Sequence, residues 1–360
     1  MTVATWAAVR AAGRTARIDR IVGHPRALVL GLVLVLVGVV VLGVGLGSVW
    51  VPPLETLAIL VHRVTGFDLG VSWTPAAETI VLDIRLPRVI TAAIVGAGLA
   101  VAGTTFQGLL RNPLADPYVL GTASGAALGA AIGVLLPIRF VIGEFGTVQV
   151  LAFGGALLAI WIVLGLSRNG RAGPMAMLLL TGYAVSSILA AGLAMAMYVS
   201  GAQLRQIFDY LLGSFDAASW GRLLTTLPIL VFGVVAIGLR ARSLNGFLLG
   251  EESAAYLGID VPRERRLLLV LASLVTAAAV SVSGLIGFVG LVAPHLVRLV
   301  VGPDARRVLP LSALVGAILL TGSDLGARLL GEIPVGVVTA LIGAPFFVVL
   351  LRRSATAYEV

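Results

Sequence analysis

The sequence predicts an all-α integral membrane protein with about ten transmembrane helices, and two observations lead to that prediction. Of the 360 residues, 59% are hydrophobic and only 12% are charged. A soluble globular domain carries about 25% charged residues, so this chain lacks the polar surface that water requires. The hydrophobic residues are also grouped in uncharged runs of about 20, the length with which a helix crosses a bilayer core.

Uncharged runs locate the spans along the chain. They cover residues 27–49, 89–110, 117–138, 145–167, 172–204, 223–239, 267–297, 308–323 and 333–351. The run at 267–297 is too long for one crossing, and Gly284, Gly287 and Gly290 lie in its middle. We therefore divide it into a helix at about 267–283 and a shorter one at about 285–301. The ninth span extends to about residue 330, past Asp324 and Arg328, which gives ten spans in all.

The distribution of arginine orients these spans. All 25 basic residues are arginine, and with ten spans eighteen of them fall on the side of both termini and seven on the other. Because cytoplasmic loops carry the excess of basic residues, both termini are predicted to be cytoplasmic. The chain then divides into a basic cytoplasmic segment at 1–26, one transmembrane domain at 27–353 and a cytoplasmic tail at 354–360. The same bias accounts for the net charge of +8, so no nucleic-acid partner is predicted.

The sequence lacks residue types and motifs that nucleotide hydrolysis, metal binding and enzymatic catalysis require. A phosphate-binding P-loop needs a lysine, so any nucleotide hydrolysis takes place on another polypeptide. The chain has no cysteine, and no cluster of His, Asp or Glu lies within a span, so we predict no metal site and no cofactor bound by this chain. No His-Glu-x-x-His or Gly-x-Ser-x-Gly motif is present either, and the chain is predicted not to be an enzyme.

Small and polar residues interrupt the apolar pattern near the third and eighth spans. Irregular backbone within a membrane is tolerated only where it is buried in protein or lines a cavity. Two interpretations stay open: close helix packing, or broken elements that line a translocation pathway. The candidate pathway residues are Asn112, Pro113, Gly121, Thr122, Ser124, Gly125, Gly287 and Gly290.

The loop at about 240–266 contains a capped helix where a solvated connector would need none. Residues 250–258 are predicted to form two helical turns, with Glu251 and Glu252 in the first turn and Gly258 just after the last. A short helix held under the membrane has the shape to press into a cytoplasmic partner. The alternative is a helix that lies on the lipid surface.

Three arginines are predicted at the outer ends of spans. Arg85 and Arg88 open the second span, and Arg328 ends the ninth, four residues after Asp324, with which it can pair on one helical face. Guanidinium groups bind carboxylates bidentately and would suit the docking of an acidic protein. An arginine near the interface often only extends its charged end to water, and spacing alone does not choose between the two.

These motifs together resemble the permease family of ABC importers for iron-siderophores, haem and cobalamin, the FecCD type. The resemblance covers nearly all of residues 27–353. It rests on Arg85-Leu-Pro-Arg88, on the segment 107–117 with its Arg-Asn-Pro-Leu-Ala-Asp-Pro sequence, and on Gly250-Glu-Glu-Ser253 followed by Leu257-Gly258. The segments 284–298 and 333–345 complete it. Their order and spacing are more specific than any one of them.

The resemblance implies the type II ABC importer permease fold, in which two copies enclose a path for a bulky metal chelate. It implies further partners: two ATPase subunits that use ATP and Mg, a periplasmic or lipid-anchored substrate-binding protein, and the lipid of a bacterial plasma (inner) membrane. In family members the residues matching Arg85, Arg88 and Arg328 meet acidic residues of the binding protein. By the same resemblance the ATPase-coupling residues are Gly250, Glu251, Glu252, Ser253, Ala254, Leu257 and Gly258.

The sequence constrains the identity of the substrate less than it constrains the type of transporter. The loop at 211–220 is similar to that of siderophore and haem members, and Glu252 stands where an apolar residue is expected in cobalamin members. We therefore expect a ferric siderophore, with haem or cobalamin as the alternative. An ion-coupled secondary transporter is more remote, because such proteins usually hold acidic or histidine residues in mid-membrane. Here Asp324 is the only acidic residue within a predicted span, and it lies near the outer end.

Overall fold

The computed structural model describes residues 25–47, 49–167 and 174–355, and over these ranges the chain is almost entirely helical. The predicted cytoplasmic segment at 1–26 and the predicted tail at 354–360 lie almost wholly outside the described residues. In chain order the helices are α1 (Pro25–Gly45), α2 (Pro53–Thr65), α3 (Pro75–Thr79), α4 (Leu86–Leu109), α5 (Thr122–Leu135), α6 (Thr147–Leu166), α7 (Pro174–Val199), α8 (Leu204–Leu212), α9 (Trp220–Leu239), α10 (Ala241–Leu248), α11 (Glu251–Tyr256), α12 (Val261–Ser283), α13 (Val289–Val301), α14 (Ala305–Leu329) and α15 (Val335–Ala355).

Three smaller elements complete the described chain. A π-helical turn, Ile80–Arg85, joins α3 to α4, and a 3₁₀ turn, Gly201–Gln203, precedes α8. A two-stranded antiparallel hairpin pairs β1 (Val141–Ile142) with β2 (Phe145–Gly146), with Val141 opposite Gly146. None of the three was predicted from the sequence, and neither were α2, α8 and α10.

The prediction of ten spans is confirmed within the described ranges. Seven helices are long and apolar enough to cross a membrane, namely α1, the continuous α3–α4 helix, α6, α7, α9, α12 and α14, and three shorter apolar ones, α5, α13 and α15, supply the rest. The second span begins earlier than predicted, at Pro75 rather than near residue 89. Pro87 has no N–H to donate to Asp83, and the helix passes this point through the wider π turn, in which the N–H of Leu86 bonds to Val81.

Glycine contacts hold the central helices close together. α4 crosses α14 where Gly96 faces Gly316, and a Cβ added to Gly96 would lie only 2.8 Å from Cβ of Leu320. α5 crosses α6 in the same way, where Gly125 faces Gly155. Without a hydrophobic force between helices in lipid, small residues at crossings give the close van der Waals contact that holds a bundle together. α4 and α12 are buried along most of their lengths and form its centre.

The helix contacts define two ends of the bundle. At one end, which we call the coupling end, α10 and α11 lie beside the end of α4 and the starts of α12 and α14. At the other, the outer end, α2 and α3 pack around the end of α1 and the start of α4, while α8 packs on the end of α5 and the hairpin on the start of α6. The positive-inside rule assigns the coupling end to the cytoplasm.

Candidate functional site

The short helix predicted in the loop at 240–266 is present as α11. Glu251 and Glu252 lie in its first turn, and Gly258, just beyond its last, has φ +78°. That left-handed conformation is favourable for glycine and strained for most other residues, which explains why the helix stops there. The helix has six residues, Glu251–Tyr256, and so is shorter than the two full turns expected.

Charged contacts fix α11 to the membrane helices. Glu251 forms an ion pair with Arg265 of α12, and Arg240 forms another with Glu264. Arg111, just after α4, lies beside Gly250, with its Nη1 atom 3.6 Å from where a Cβ would stand. Ala254 is completely buried and packs near Gly246 of α10. Ala254 and Glu251 therefore support the helix from inside, and a part for Ala254 in ATPase coupling stays a prediction.

Asn245 joins α10 to the start of α14. Its Nδ2 donates to Oδ1 of Asp304 at 2.7 Å, and its Oδ1 accepts from the N–H of Ala305 at 2.7 Å. Asp304 also caps α14 by accepting from the N–H of Arg306. The pKa of the Asp304 carboxyl is lowered, mainly by the hydrogen bond from Asn245 and next by the hydrogen bond from the N–H of Arg306. Any movement of α10 and α11 is thus tied to α14.

The outward face of α11 has no partner within the described chain. Tyr256 is 93% exposed and Leu257 is 65% exposed, while Glu252 and Ser253 are exposed beside them. A large apolar surface at the tip of a rigid helix is typical of a protein contact rather than of a solvated loop. The sequence interpretation missed Tyr256, although an aromatic residue on a short extramembrane helix was the available signal.

Of the three outer arginines predicted to dock a binding protein, Arg85 and Arg328 are buried and Arg88 is partly buried. Arg85 is 5% exposed and donates to the carbonyls of Val44 and Gly45 at 3.1 and 2.9 Å, and also to Val49. Arg328 is 7% exposed and donates to Gly43 and Leu46 at 2.8 and 3.0 Å. The last carbonyls of a helix lack hydrogen-bond donors within it, and these two guanidinium groups supply the missing donors at the end of α1.

Arg88 and Asp324 complete a buried ionic cluster with these residues. Asp324 is fully buried, receives Arg88 at 2.8 Å and pairs with Arg328 at 3.1 Å, so the predicted pairing of Asp324 with Arg328 is confirmed. Arg88 also reaches Asp216 at 2.6 Å, in the loop between α8 and α9. Asp216 was not predicted, because it lies 128 residues from Arg88 in the sequence. We call Arg85, Arg88, Asp216, Asp324 and Arg328 the outer ionic cluster.

The candidate pathway residues divide into two groups. Gly121, Thr122, Gly125 and Gly290 are buried within the single chain, and their part in a translocation pathway stays a prediction. They serve close packing: Gly125 meets Gly155, and Gly290 meets Gly103 and Pro117. Ser124 and Gly287 are partly exposed, and nothing lies within 4 Å of a Cβ built on Gly287. Asn112 and Pro113 are exposed at the coupling end.

Comparison with known proteins places this arrangement in a family. The FecCD transport family matches residues 32–353. The chain is 48% identical over 274 residues to the cobalamin import system permease protein BtuC of Halobacterium salinarum, covering 76% of this chain and 73% of that one. It is 44% identical over 281 residues to the hemin transport system permease protein HmuU of Yersinia pestis, with 76% and 83% covered.

A solved structure shares the architecture. It is an inward-facing ABC transporter assigned to the metal-chelate type, and it superposes with a TM-score of 0.76 at 31% identity, covering 91% of this chain and 99% of that one. The family match spans all ten membrane helices and includes both α11 and the outer ionic cluster. The chain therefore belongs to the FecCD transport family, whose members are multi-pass permease subunits of ABC importers.

Proposed function

We propose that two copies of this chain form the membrane core of an importer that carries a bulky metal chelate into the cytoplasm, with a ferric siderophore as the first candidate. Two ATPase subunits dock on α11 and use ATP and Mg, and a periplasmic or lipid-anchored binding protein delivers the chelate. The complex operates in a bacterial plasma membrane. Haem and cobalamin are the alternative substrates, and they are the ones named for two relatives.

The exposed tip of α11 is the observation that carries this proposal. The helix is held by Glu251 to α12 and, through α10 and Asn245, to α14, yet it presents Tyr256 and Leu257 outward. A rigid projection that is connected to two central helices can transmit force from a partner that grips it. An aromatic anchor that enters a pocket is also the usual centre of a protein interface.

The outer end supports docking of a binding protein through other residues than those first expected. Arg85 and Arg328 are occupied by carbonyls of α1, whereas Arg63 and Arg205 are exposed at this end. Exposed arginines pair with carboxylates and speed the encounter with an acidic surface. We expect the binding protein to contact these exposed arginines.

The experiment is uptake into proteoliposomes that contain the permease, its ATPase and its binding protein. Radiolabelled ferric siderophore, haem and cobalamin are supplied in parallel, with and without ATP. ATP-dependent uptake of one of them supports the importer and identifies its substrate. Stimulated ATP hydrolysis without uptake of any would reject the substrate class, and failure of the ATPase to associate would reject the function.

A control arm addresses ion-coupled transport. Asp324, the fully buried acidic residue of the ninth span, is engaged by Arg88 and Arg328, so its carboxylate is not free to bind a proton or sodium ion in turn. Uptake driven by an ion gradient in liposomes that lack the ATPase would contradict the proposal. We expect none above the background of empty liposomes.

A further inference from the structure

Two half-length helices begin from non-helical segments that enter the bundle from opposite ends. α5 has 14 residues and α13 has 13, fewer than the roughly 20 that a full crossing needs. The segment 110–121 precedes α5 and starts at the coupling end, close to where Gly108 lies against Leu244 of α10. The segment 284–288 precedes α13 and starts at the far end of α12, whose 23 residues rise roughly 34 Å.

A tyrosine hydroxyl joins these two segments. Tyr118 donates to the carbonyl of Ile286 at 3.0 Å and accepts from the N–H of the same residue at 3.3 Å. A hydroxyl can do both, because it has one donor and two acceptor lone pairs. Ile286 is 1% exposed, so water does not offer its backbone an alternative partner. One side chain thus satisfies both polar groups of a residue in irregular backbone inside the bundle.

Neighbouring contacts hold the same joint in register. Gln107 donates from Nε2 to the carbonyl of Gly290 at 3.2 Å, and the Oε1 atom of Gln107 accepts from Arg298. The ring of Pro117 lies against Gly290, where an added Cβ would stand 2.7 Å from Cγ of the proline. The start of α13 is therefore fixed against both the end of α4 and the segment 110–121.

Contacts continue from this joint to both ends of the molecule. Towards the coupling end, Arg111 of the segment 110–121 lies beside Gly250 at the start of α11. Towards the outer end, the N–H of Leu285 bonds to Tyr210 at 3.3 Å, and the N–H of Ser214 bonds to Ser283 at 2.9 Å. Packed side chains and hydrogen bonds that shift together are what carries coupling between distant sites. Tyr118 occupies the middle of this series.

We propose that Tyr118 is a positioning residue for transport, whose hydroxyl transmits displacement of α11 from the segment 110–121 to the segment 284–288 and the outer loop 213–219. This inference rests on the proposed function, because it assigns Tyr118 a part in the same ATP-driven transport. Without the hydroxyl, the ATPase still docks and hydrolyses ATP, but the outer end of the permease no longer moves when α11 is displaced.

The test compares Tyr118→Phe with the wild type in the complete complex in proteoliposomes. The quantity measured is the number of substrate molecules imported per ATP hydrolysed. We expect it to fall at least about fivefold, the lower range of allosteric coupling between sites, while the rate of ATP hydrolysis stays within about twofold. An unchanged ratio would overturn the inference. A wild-type complex that imports nothing would instead overturn the proposed function on which it rests.

Thr276→Val is the matched control. Its hydroxyl also donates to a buried backbone carbonyl, that of Ala272 at 2.8 Å, but this hydrogen bond lies within the single helix α12. We expect this variant to keep the wild-type ratio within about twofold, since one lost hydrogen bond inside a helix has a modest effect. An equal fall in both variants would mean that Tyr118 matters only as one more hydrogen bond, which contradicts its proposed role.

A second measurement follows movement without any substrate. The chain has no cysteine, so a spin label can be attached to one introduced residue, Ala217→Cys, which is exposed in the outer loop. We expect ATP to change the mobility of this label in the otherwise wild-type complex and to leave it unchanged when Tyr118→Phe is added. A label that responds equally in both would overturn the inference.

Discussion

The outer ionic cluster and the α11 helix lie at opposite ends of the bundle, and each contains charged residues that match motifs of the family. In the outer cluster Asp324 is fully buried, and Arg85 and Arg328 are 5% and 7% exposed. On α11 the charged Glu251 turns inward, and the exposed surface is formed by Tyr256, Leu257 and their neighbours. Charged residues hold both regions together, but only α11 leaves a surface for a partner.

The difference follows from what each region has to satisfy. The end of α1 has carbonyls without helical partners, and close to a membrane core such groups need donors from the protein itself. Arg85 and Arg328 provide them, and Asp324 balances part of their charge. α11 lies outside the membrane spans, where water can solvate its ends. A charged motif residue therefore indicates an interface only where its side chain is free, and the four variants below test that rule by their effect on stability.

Asp324→Asn should have the largest effect on stability. It removes the carboxylate that faces Arg88 and Arg328 and leaves the buried guanidinium of Arg328 without its ion-pair partner. Breaking a buried ion pair by removing one partner costs about 3–5 kcal/mol. We expect a clear fall in the thermal unfolding midpoint in detergent and a loss of monodisperse protein. A variant as stable as the wild type would mean that the cluster is not what holds the outer end together.

Asn245→Ala should have the next largest effect. It removes two hydrogen bonds at 2.7 Å to the start of α14 and leaves partners behind, at a cost of about 1–3 kcal/mol. Asn112→Ala, an exposed asparagine at the same end, is the control and should stay close to the wild type. Thermal unfolding of both variants at neutral pH provides the comparison.

The pH dependence of Asn245→Ala gives a further check. The Asn245 amide lowers the pKa of Asp304 below its ordinary value of 3.8 in the folded protein. A depressed carboxyl pKa contributes stability above the unfolded pKa, and this contribution is lost as the pH falls through the folded pKa. The difference in unfolding free energy between Asn245→Ala and the wild type should therefore narrow below pH 3.8. A gap that stays constant would exclude Asp304 as the partner that matters.

Asp216→Asn should have a small effect. Asp216 pairs with Arg88, but its side chain is 63% exposed, and exposed ion pairs contribute about 0–1 kcal/mol. Arg88 also keeps Asp324 as a partner. The unfolding midpoint should move little and should become less sensitive to added salt. A loss as large as that of Asp324→Asn would show that the exposed edge of the cluster is as important as its buried centre.

The double variant Ser253→Arg with Tyr256→Arg should change stability least and function most. Both side chains are exposed, so unfolding should shift by no more than about 0.5 kcal/mol. Co-purification of the ATPase and ATP-driven uptake should nevertheless be lost. Val64→Arg with Phe67→Arg adds the same charge at exposed outer positions and should leave ATPase binding intact. Retained ATPase binding in the α11 variant would return that helix to a lipid-facing or solvated role.

Long uncharged runs and helix-capping residues account for what could be predicted of the fold. A long uncharged run identifies a span wherever it lies in the fold, because the bilayer imposes length and polarity on each helix separately. The capped α11 helix was predicted for a similar reason, since Gly258 and the first-turn glutamates act within a few residues. The second span starts earlier than predicted because Asp83, Arg85 and Arg88 end the uncharged run, whereas the helix continues through them.

The sequence by itself determined the ten spans, their orientation, the absence of a lysine for nucleotide binding and the helix in the cytoplasmic loop. Only the tertiary structure decided that Arg85 and Arg328 are buried, that Gly125 and Gly290 pack against backbone, and that Tyr118 reaches Ile286. The physical reason is distance along the chain. Gly43 and Arg328 are 285 residues apart, and Tyr118 and Ile286 are 168 apart, so their contacts exist only once the helices have packed.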